Sequence, residues 1–183
     1  LSQKKPRTNQ VRIIGGQWRR RGLHFPDAPG LRPTPDRVRE TLFNWLGQRL
    51  DGLRCLDLFA GSGALGFEAA SRGAREVVMV ERDRSAYEAL RKNRELLGAS
   101  QVELVAADGL AWLAGARGQF DLIFLDPPFQ AGLLPDALVR AATRLAPGGK
   151  IYAEFGARPD LDGWQVVREG RAGLSHFCLL EPV

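Results

Sequence analysis

The sequence predicts an α/β fold: a mostly parallel seven-stranded sheet with helices on both faces, finished by a C-terminal antiparallel hairpin and preceded by an N-terminal β-hairpin extension. Three observations predict it. From Arg54 onward short apolar runs alternate with helical stretches, the pattern of successive β-α units. The first run, CLDLF, passes directly into the glycine-rich AGSGALG, which opens a helical stretch. The last two runs, WQVVRE and LSHFCLL, are separated by Gly170 and Gly173 with no helix between them.

The front of the chain is basic. Residues 1 to 39 hold ten Lys or Arg against two acids, net +8, while the remainder is net −3. Clustered cations of this kind suit a polyanion, because they displace counterions from phosphates. VRIIGGQWRRRGLHF, Val11 to Phe25, reads as two extended pieces turning at Gly15-Gly16. Arg12, Trp18, Arg19, Arg20 and Arg21 decorate it, an arrangement that suits RNA if the Trp18 ring stacks on a base, and equally an edge hairpin whose Trp18 packs on the core. A proline-rich connector carrying Arg32 follows, and Thr34-Pro35 reads as an N-cap and first-turn proline. Val38, Leu42, Trp45, Leu46 and Leu50 then make one apolar helical stripe, which leaves Arg37, Arg39 and Glu40 on solvent-facing sides. The division expected is a basic extension over residues 1–33 and a main domain over residues 34–183.

The core pattern continues through VVMVE and its helix RSAYEALRKNRELL, VELVAA with GLAWLA, FDLIFLD with LLPDALVRAATRL, and KIYAEF. With 183 residues, 44% hydrophobic and 26% charged, the chain suffices for one well-buried core. No apolar run approaches the roughly 18 residues of a membrane helix, and LSQKKPRTNQ has no apolar stretch behind its charges, so neither a membrane partner nor a secretory signal is expected. Cys55 and Cys178 stand alone in apolar runs and read as buried thiols of a reducing cytosol; His24 and His176 are isolated, so no metal is expected.

LDLFAGSGALG sets Gly61, Gly63 and Gly66 in G-x-G-x-x-G after a strand, where glycines allow a tight turn and close backbone approach to an adenosine-like cofactor. Glu81 ends the next strand 20 residues after Gly61, placed to accept from ribose hydroxyls, with Arg82 beside it. Asp108, followed by Gly109, ends the third strand, where its carboxylate reads as an adenine partner or a helix N-cap. Two cofactors fit. A nicotinamide dinucleotide would set a pyrophosphate at the helix N-terminus; S-adenosylmethionine brings a sulfonium, an ammonium and a carboxylate. Asp57, two residues before Phe59, favours the second, since a carboxylate attracts an ammonium and repels a pyrophosphate.

LDPPF, Leu125 to Phe129, ends the fourth strand of this sheet beside the first, at the carboxyl edge where ligands sit in open α/β sheets. An exocyclic amine of a nucleobase is a poor nucleophile because its lone pair is delocalised into the ring. Asp126 and the carbonyl of Pro127 can accept from its two N–H bonds and favour the geometry needed to attack a methyl group. Pro127 and Pro128 fix φ and remove two donors, and Phe129 offers a face for the base.

Asp-Pro-Pro-Phe after a glycine-loop β-α-β unit resembles the (D/N)-PP-(F/Y) motif of class I S-adenosylmethionine-dependent methyltransferases acting on amino groups. RIIGGQWRRRGL, LRPTPDRVRETLFNWL and CLDLFAGSGALGFEA together resemble the RsmD family, bacterial methyltransferases of 16S ribosomal RNA, from about Val11 to the C-terminal hairpin. The resemblance implies a Rossmann-like fold and methylation of a guanine N2, at nucleotide 966, during small-subunit assembly; a cytoplasmic monomer is the default expectation beside it. It implies Asp126, Pro127, Pro128 and Phe129 around the target base, and Asp57, Phe59, Gly61, Gly63, Glu81, Arg82, Asp108 and Gly109 around S-adenosylmethionine. Arg12, Trp18, Arg19, Arg20, Arg21, Arg32 and Arg37 are the expected RNA contacts, with the hairpin as the element laid on the RNA. Competing readings are an amino-methyltransferase for adenine N6 or protein glutamine, a nucleotide-binding oxidoreductase, and a nucleic-acid-binding module with a vestigial pocket.

Overall fold

The computed structural model describes residues 8–128 and 132–183. Strands β1 (Thr8–Arg12) and β2 (Gly22–Pro26) pair antiparallel as a separate ribbon. Helix α1 (Asp36–Trp45) leads into β3 (Arg54–Asp57), α2 (Ala64–Ser71), β4 (Glu76–Glu81), α3 (Arg84–Leu97), β5 (Val102–Ala106), α4 (Gly109–Gly115), β6 (Phe120–Leu125), α5 (Leu134–Ala142), β7 (Leu145–Phe155), β8 (Trp164–Ala172) and β9 (Ser175–Pro182). The large sheet has seven strands in the order β5-β4-β3-β6-β7-β9-β8. β3 to β7 run parallel, and β9 is antiparallel to both neighbours, so the final hairpin inserts its second strand beside β7.

Strand residues alternate between two apolar layers, as a period of two requires when both faces are covered. Cys55, Val77, Met79, Leu122, Phe124 and Tyr152 join the layer that holds α1, α2, α3 and the N-terminal ribbon. Leu56, Val78, Val80, Ile123, Leu125 and Ile151 face the other layer, with Leu113 of α4 and Leu138 of α5. Among the described residues, no helix is long and apolar enough to cross a membrane, and no group of His, Cys, Asp and Glu has the makings of a metal site. Both cysteines are buried free thiols.

The N-terminal ribbon departs from its expected turn. Gly15-Gly16 does not reverse the chain; Ile13 to Arg21 form a longer loop closed by Ile13 N–H to the Arg21 carbonyl at 2.9 Å and Arg20 N–H to the Ile13 carbonyl at 2.8 Å, with Arg20 at φ 71°. The glycines serve close approach. A Cβ on Gly16, at φ +78°, would lie 2.0 Å from the Ser71 carbonyl oxygen, so only glycine lets this loop reach the end of α2. Gln17 N–H donates to that carbonyl and Trp18 N–H to the Ser71 hydroxyl.

Trp18 is 5% exposed and packs in the core, so of its two readings the packing one holds and its ring offers no face to a base. Arg39, expected toward solvent, is wholly buried. The reason is electrostatic: Glu68 of α2, also wholly buried, requires cations, and Arg39 and Arg72 supply them. Thr34 is not the helix cap either; the N-cap is Pro35, with no side-chain capping bond.

Candidate active site

Strand register lines up the expected site residues along the carboxyl edge of the sheet. Asp57 at the end of β3 pairs with Met79 on one side and Phe124 on the other. Glu81, at the end of β4, pairs with Ala106 of β5, two residues before Asp108. Leu125 pairs with Ala153, so Asp126 and Glu154 follow at the ends of β6 and β7. Five neighbouring strands therefore each deliver a carboxylate to one edge, over a row on the order of 20 Å at ordinary strand spacing.

The glycine loop is built around two of these acids. The Gly66 N–H, in the first turn of α2, donates to Asp57 Oδ2 at 3.0 Å. Asp57 Oδ1 is buried with no hydrogen-bond partner among the described residues. Burial first, and the Glu81 charge as well, push the Asp57 carboxyl up to about 7, although the Gly66 amide opposes them. Gly63, at φ +83°, is the N-cap of α2, and a Cβ there would meet Leu90 and Phe67 at 2.7 Å. Glu81 Oε2 accepts from Gly61 N–H at 2.7 Å, and its other oxygen from Asp83 N–H. Phe59 is half-buried beside this loop, and Arg82 is exposed. Asp108 caps α4 by accepting from Ala111 N–H at 3.0 Å, and Gly109 is the buried first residue of that helix.

Asp126 is half-buried, Pro127 buried and Pro128 exposed; Phe129 lies outside the described residues. The Thr34 hydroxyl donates to Asp126 Oδ2 at 3.0 Å. Glu154 of β7 is its acidic neighbour; it is 6% exposed and accepts from the Tyr152 hydroxyl at 3.0 Å. Tyr152 is itself wholly buried against Phe124 and Phe177. Burial, then the Glu154 charge, drive the Asp126 carboxyl well above the usual carboxylate range, with Thr34 pulling the other way. Glu154 is also raised, chiefly by burial. Each charge disfavours the other, because two adjacent buried charges are costly.

Sequence reasoning missed Thr34, Tyr152 and Glu154. Glu154 left a signal: one acid inside the apolar strand KIYAEF, as Asp57 is inside CLDLF. Thr34 left none, since Thr-Pro before a helix ordinarily means a cap. Of the expected RNA contacts, Arg12, Arg19, Arg20, Arg21, Arg32 and Arg37 are exposed. Arg21 donates to the Leu96 carbonyl and Arg37 to the Arg171 carbonyl, so these two are partly occupied. A concavity of about 780 Å³ opens at the amino ends of β4 and β5, across the sheet from the acids; its Arg91 and Arg94 are already bonded to Glu88, Glu95 and the Val102 carbonyl.

Comparison with known proteins gives the family. The family model described as "Conserved hypothetical protein 95" matches residues 11–181. Ribosomal RNA small subunit methyltransferase D of Escherichia coli K12 is 45% identical over 187 residues, covering 97% of this chain and 94% of that protein. The chain belongs to the RsmD family of methyltransferases. The Haemophilus influenzae protein of the same name is 40% identical over 181 residues, covering 94% of each chain. A solved structure titled putative methyltransferase yhhF from Escherichia coli superposes with a TM-score of 0.85 at 42% identity, covering 95% of this chain and 98% of its own. The RsmD family thus accounts for nearly the whole chain, N-terminal ribbon included.

Proposed function

We propose that this RsmD-family chain transfers a methyl group from S-adenosylmethionine to the exocyclic N2 of a guanine in 16S ribosomal RNA, acting in the cytoplasm as a monomer on a partly assembled small subunit. The observation that carries the reading is the acceptor-only corner at Asp126 to Pro128, backed by Glu154, beside a glycine loop crowded with carboxylates. The names of the relatives support the substrate class.

The residues fit the cofactor. The unpartnered Asp57 Oδ1 suits an ammonium donor. Glu81 already holds the Gly61 amide that a pyrophosphate would need, so a dinucleotide would meet a carboxylate at its phosphates. Electrostatics therefore favours the cationic cofactor over the nicotinamide one. Gly61, Gly63 and Phe59 would line its body, Glu81 with Arg82 the ribose side, and Asp108 with Gly109 the adenine side. When bound, it supplies a methyl group on an electrophilic sulfonium carbon.

The chain's own part is to hold and orient. Asp126 accepts one N–H of the guanine amine and the Pro127 carbonyl the other, so the nitrogen lone pair turns out of conjugation toward the methyl carbon. Holding reactants in this way supplies most of the acceleration. The proton that the substituted nitrogen releases passes to Asp126. In that step Asp126 passes from carboxylate to neutral acid, a change that its burial and the Glu154 charge favour. In the basic extension, residues 1–33, the exposed Arg12, Arg19, Arg20, Arg21 and Arg32 grip phosphates and offset the few kcal/mol needed to turn a base out of its stack.

The test is methyl transfer from labelled S-adenosylmethionine to small-subunit RNA, naked and in particles, followed by nucleoside analysis. Label in N2-methylguanosine is expected, more from particles than from naked RNA. Label in N6-methyladenosine or in protein, or none at all, overturns the reading.

A further inference from the structure

Thr34 stands at the centre of a chain of hydrogen bonds that nothing in the helix it precedes requires. Its side chain makes no capping bond to α1. It is 5% exposed, and its hydroxyl donates to Asp126 Oδ2 across 92 residues of sequence. Its carbonyl accepts from Arg39 Nε at 3.1 Å. The same guanidinium donates through Nη1 to the Arg12 carbonyl at 2.9 Å and to Glu68 at 3.4 Å. A wholly buried guanidinium with this many partners has one position, so the Thr34 backbone is pinned and its hydroxyl aimed.

We propose that Thr34 is a positioning residue for methyl transfer: clamped through Arg39, its hydroxyl fixes one oxygen of Asp126 so that the other is presented to the amine. This rests on the methyl-transfer reading above. Asp126 has few other restraints. Its backbone lies beyond the last residue of β6, followed by two prolines that donate nothing. Glu154 neighbours it from the β7 side, and Thr34 is the donor from the connector side.

The two contacts act in opposite directions on the charge. A hydroxyl donor favours the carboxylate that the amine needs, whereas Glu154 and Asp57, the acids facing Asp126 from β7 and β3, disfavour it. Tyr152, whose hydroxyl is pushed up by burial and in part by the Asp126 charge, donates to Glu154. Loss of the Thr34 hydroxyl leaves Asp126 both freer to rotate and harder to ionise.

The experiment compares Thr34→Val, which keeps shape and loses the donor, with Thr34→Ser, which keeps the donor, and with Thr34→Ala as a second donor-free variant. Single-turnover methyl transfer by Thr34→Val should fall about tenfold or more, with S-adenosylmethionine affinity unchanged. The acid limb of its pH–rate profile should move to higher pH, and Thr34→Ser should restore both. A carbon-13 titration of the Asp126 carboxyl in the free protein reads the same shift without any turnover: the midpoint should rise in Thr34→Val and Thr34→Ala and return in Thr34→Ser. An unmoved midpoint in both donor-free variants overturns the proposal whatever the assay of transfer shows. So does a rate loss in Thr34→Ser equal to that in Thr34→Val. Failure of the wild-type protein to transfer methyl to RNA refutes the functional reading instead, and the titration still decides the role of Thr34.

Discussion

The Arg39 guanidinium lies 3.4 Å from the Glu68 carboxylate, with both side chains wholly buried. Glu68 also accepts from the amides of Ile14 and Gly15 and from Arg72 Nε. One carboxylate thus ties α1, α2 and the N-terminal loop together. Removing its charge takes the Glu68 ion pair from buried Arg72 and leaves buried Arg39 paired with Asp36, a change that costs about 3–5 kcal/mol when a buried pair is broken. Glu68→Gln should therefore lower stability by about that amount in urea unfolding. Hydrogen exchange at Ile14 and Gly15 should accelerate first. The exposed pair Arg49–Asp51 is the control: Arg49→Ala should leave the melting temperature unchanged.

If Asp57 holds the cofactor ammonium as proposed, cofactor affinity should depend on pH. Burial, and the Glu81 charge as well, push the Asp57 carboxyl up to about 7 by disfavouring its charge. Pairing with an ammonium favours that charge, so affinity should be full above pH 7 and fall as pH drops below it, by up to about tenfold per unit. Isothermal titration of S-adenosylmethionine between pH 6 and 8.5 reads this directly. Stability has the opposite sense. A carboxyl raised in the folded state binds its proton more tightly there than in the unfolded chain, so its contribution is lost as pH rises from about 4 to 7. Asp57→Asn should therefore raise the melting temperature at pH 8 while weakening the cofactor at least tenfold.

Glu154 predicts a shift opposite to that of Thr34. Its charge is the second cause, after burial, of the raised Asp126 carboxyl. Glu154→Gln removes that charge and leaves an amide able to donate to Asp126, so Asp126 ionises more readily. The acid limb of the transfer rate should move to lower pH, while the capacity to take up the released proton is reduced. A pH–rate profile with small-subunit RNA as acceptor checks both, the second as a lower plateau.

Much of this was legible in sequence because the carboxyl edge of a parallel sheet is written locally. A strand, its terminal acid and the following turn are contiguous, so Asp57, Glu81, Asp108 and Asp126 could be placed on one edge before any register was known. The bonds that hold those acids are not local. Arg39 reads as a solvent-facing residue until α2 brings Glu68 against it from 29 residues away, and Thr34 reads as a cap until β6 brings Asp126 from 92 residues away. Trp18 failed as a stacking surface for a similar reason: a ring among arginines is claimed by the core once Gly16 lets its loop sit on α2. Gly15-Gly16 reads as a turn because positive φ is the usual reason for paired glycines; Gly16 does have φ +78°, but it serves a close approach to Ser71 that leaves no room for a side chain.

The central claim is that Asp126 orients an amine, and Asp126→Ala tests it most directly. Single-turnover methyl transfer to small-subunit RNA and the dissociation constant of S-adenosylmethionine are measured on the same preparation. The transfer rate should fall about a hundredfold or more with cofactor affinity within about threefold of wild type. Equal losses of rate and affinity, or an unchanged rate, would contradict the claim and leave Asp126 a structural residue of the loop.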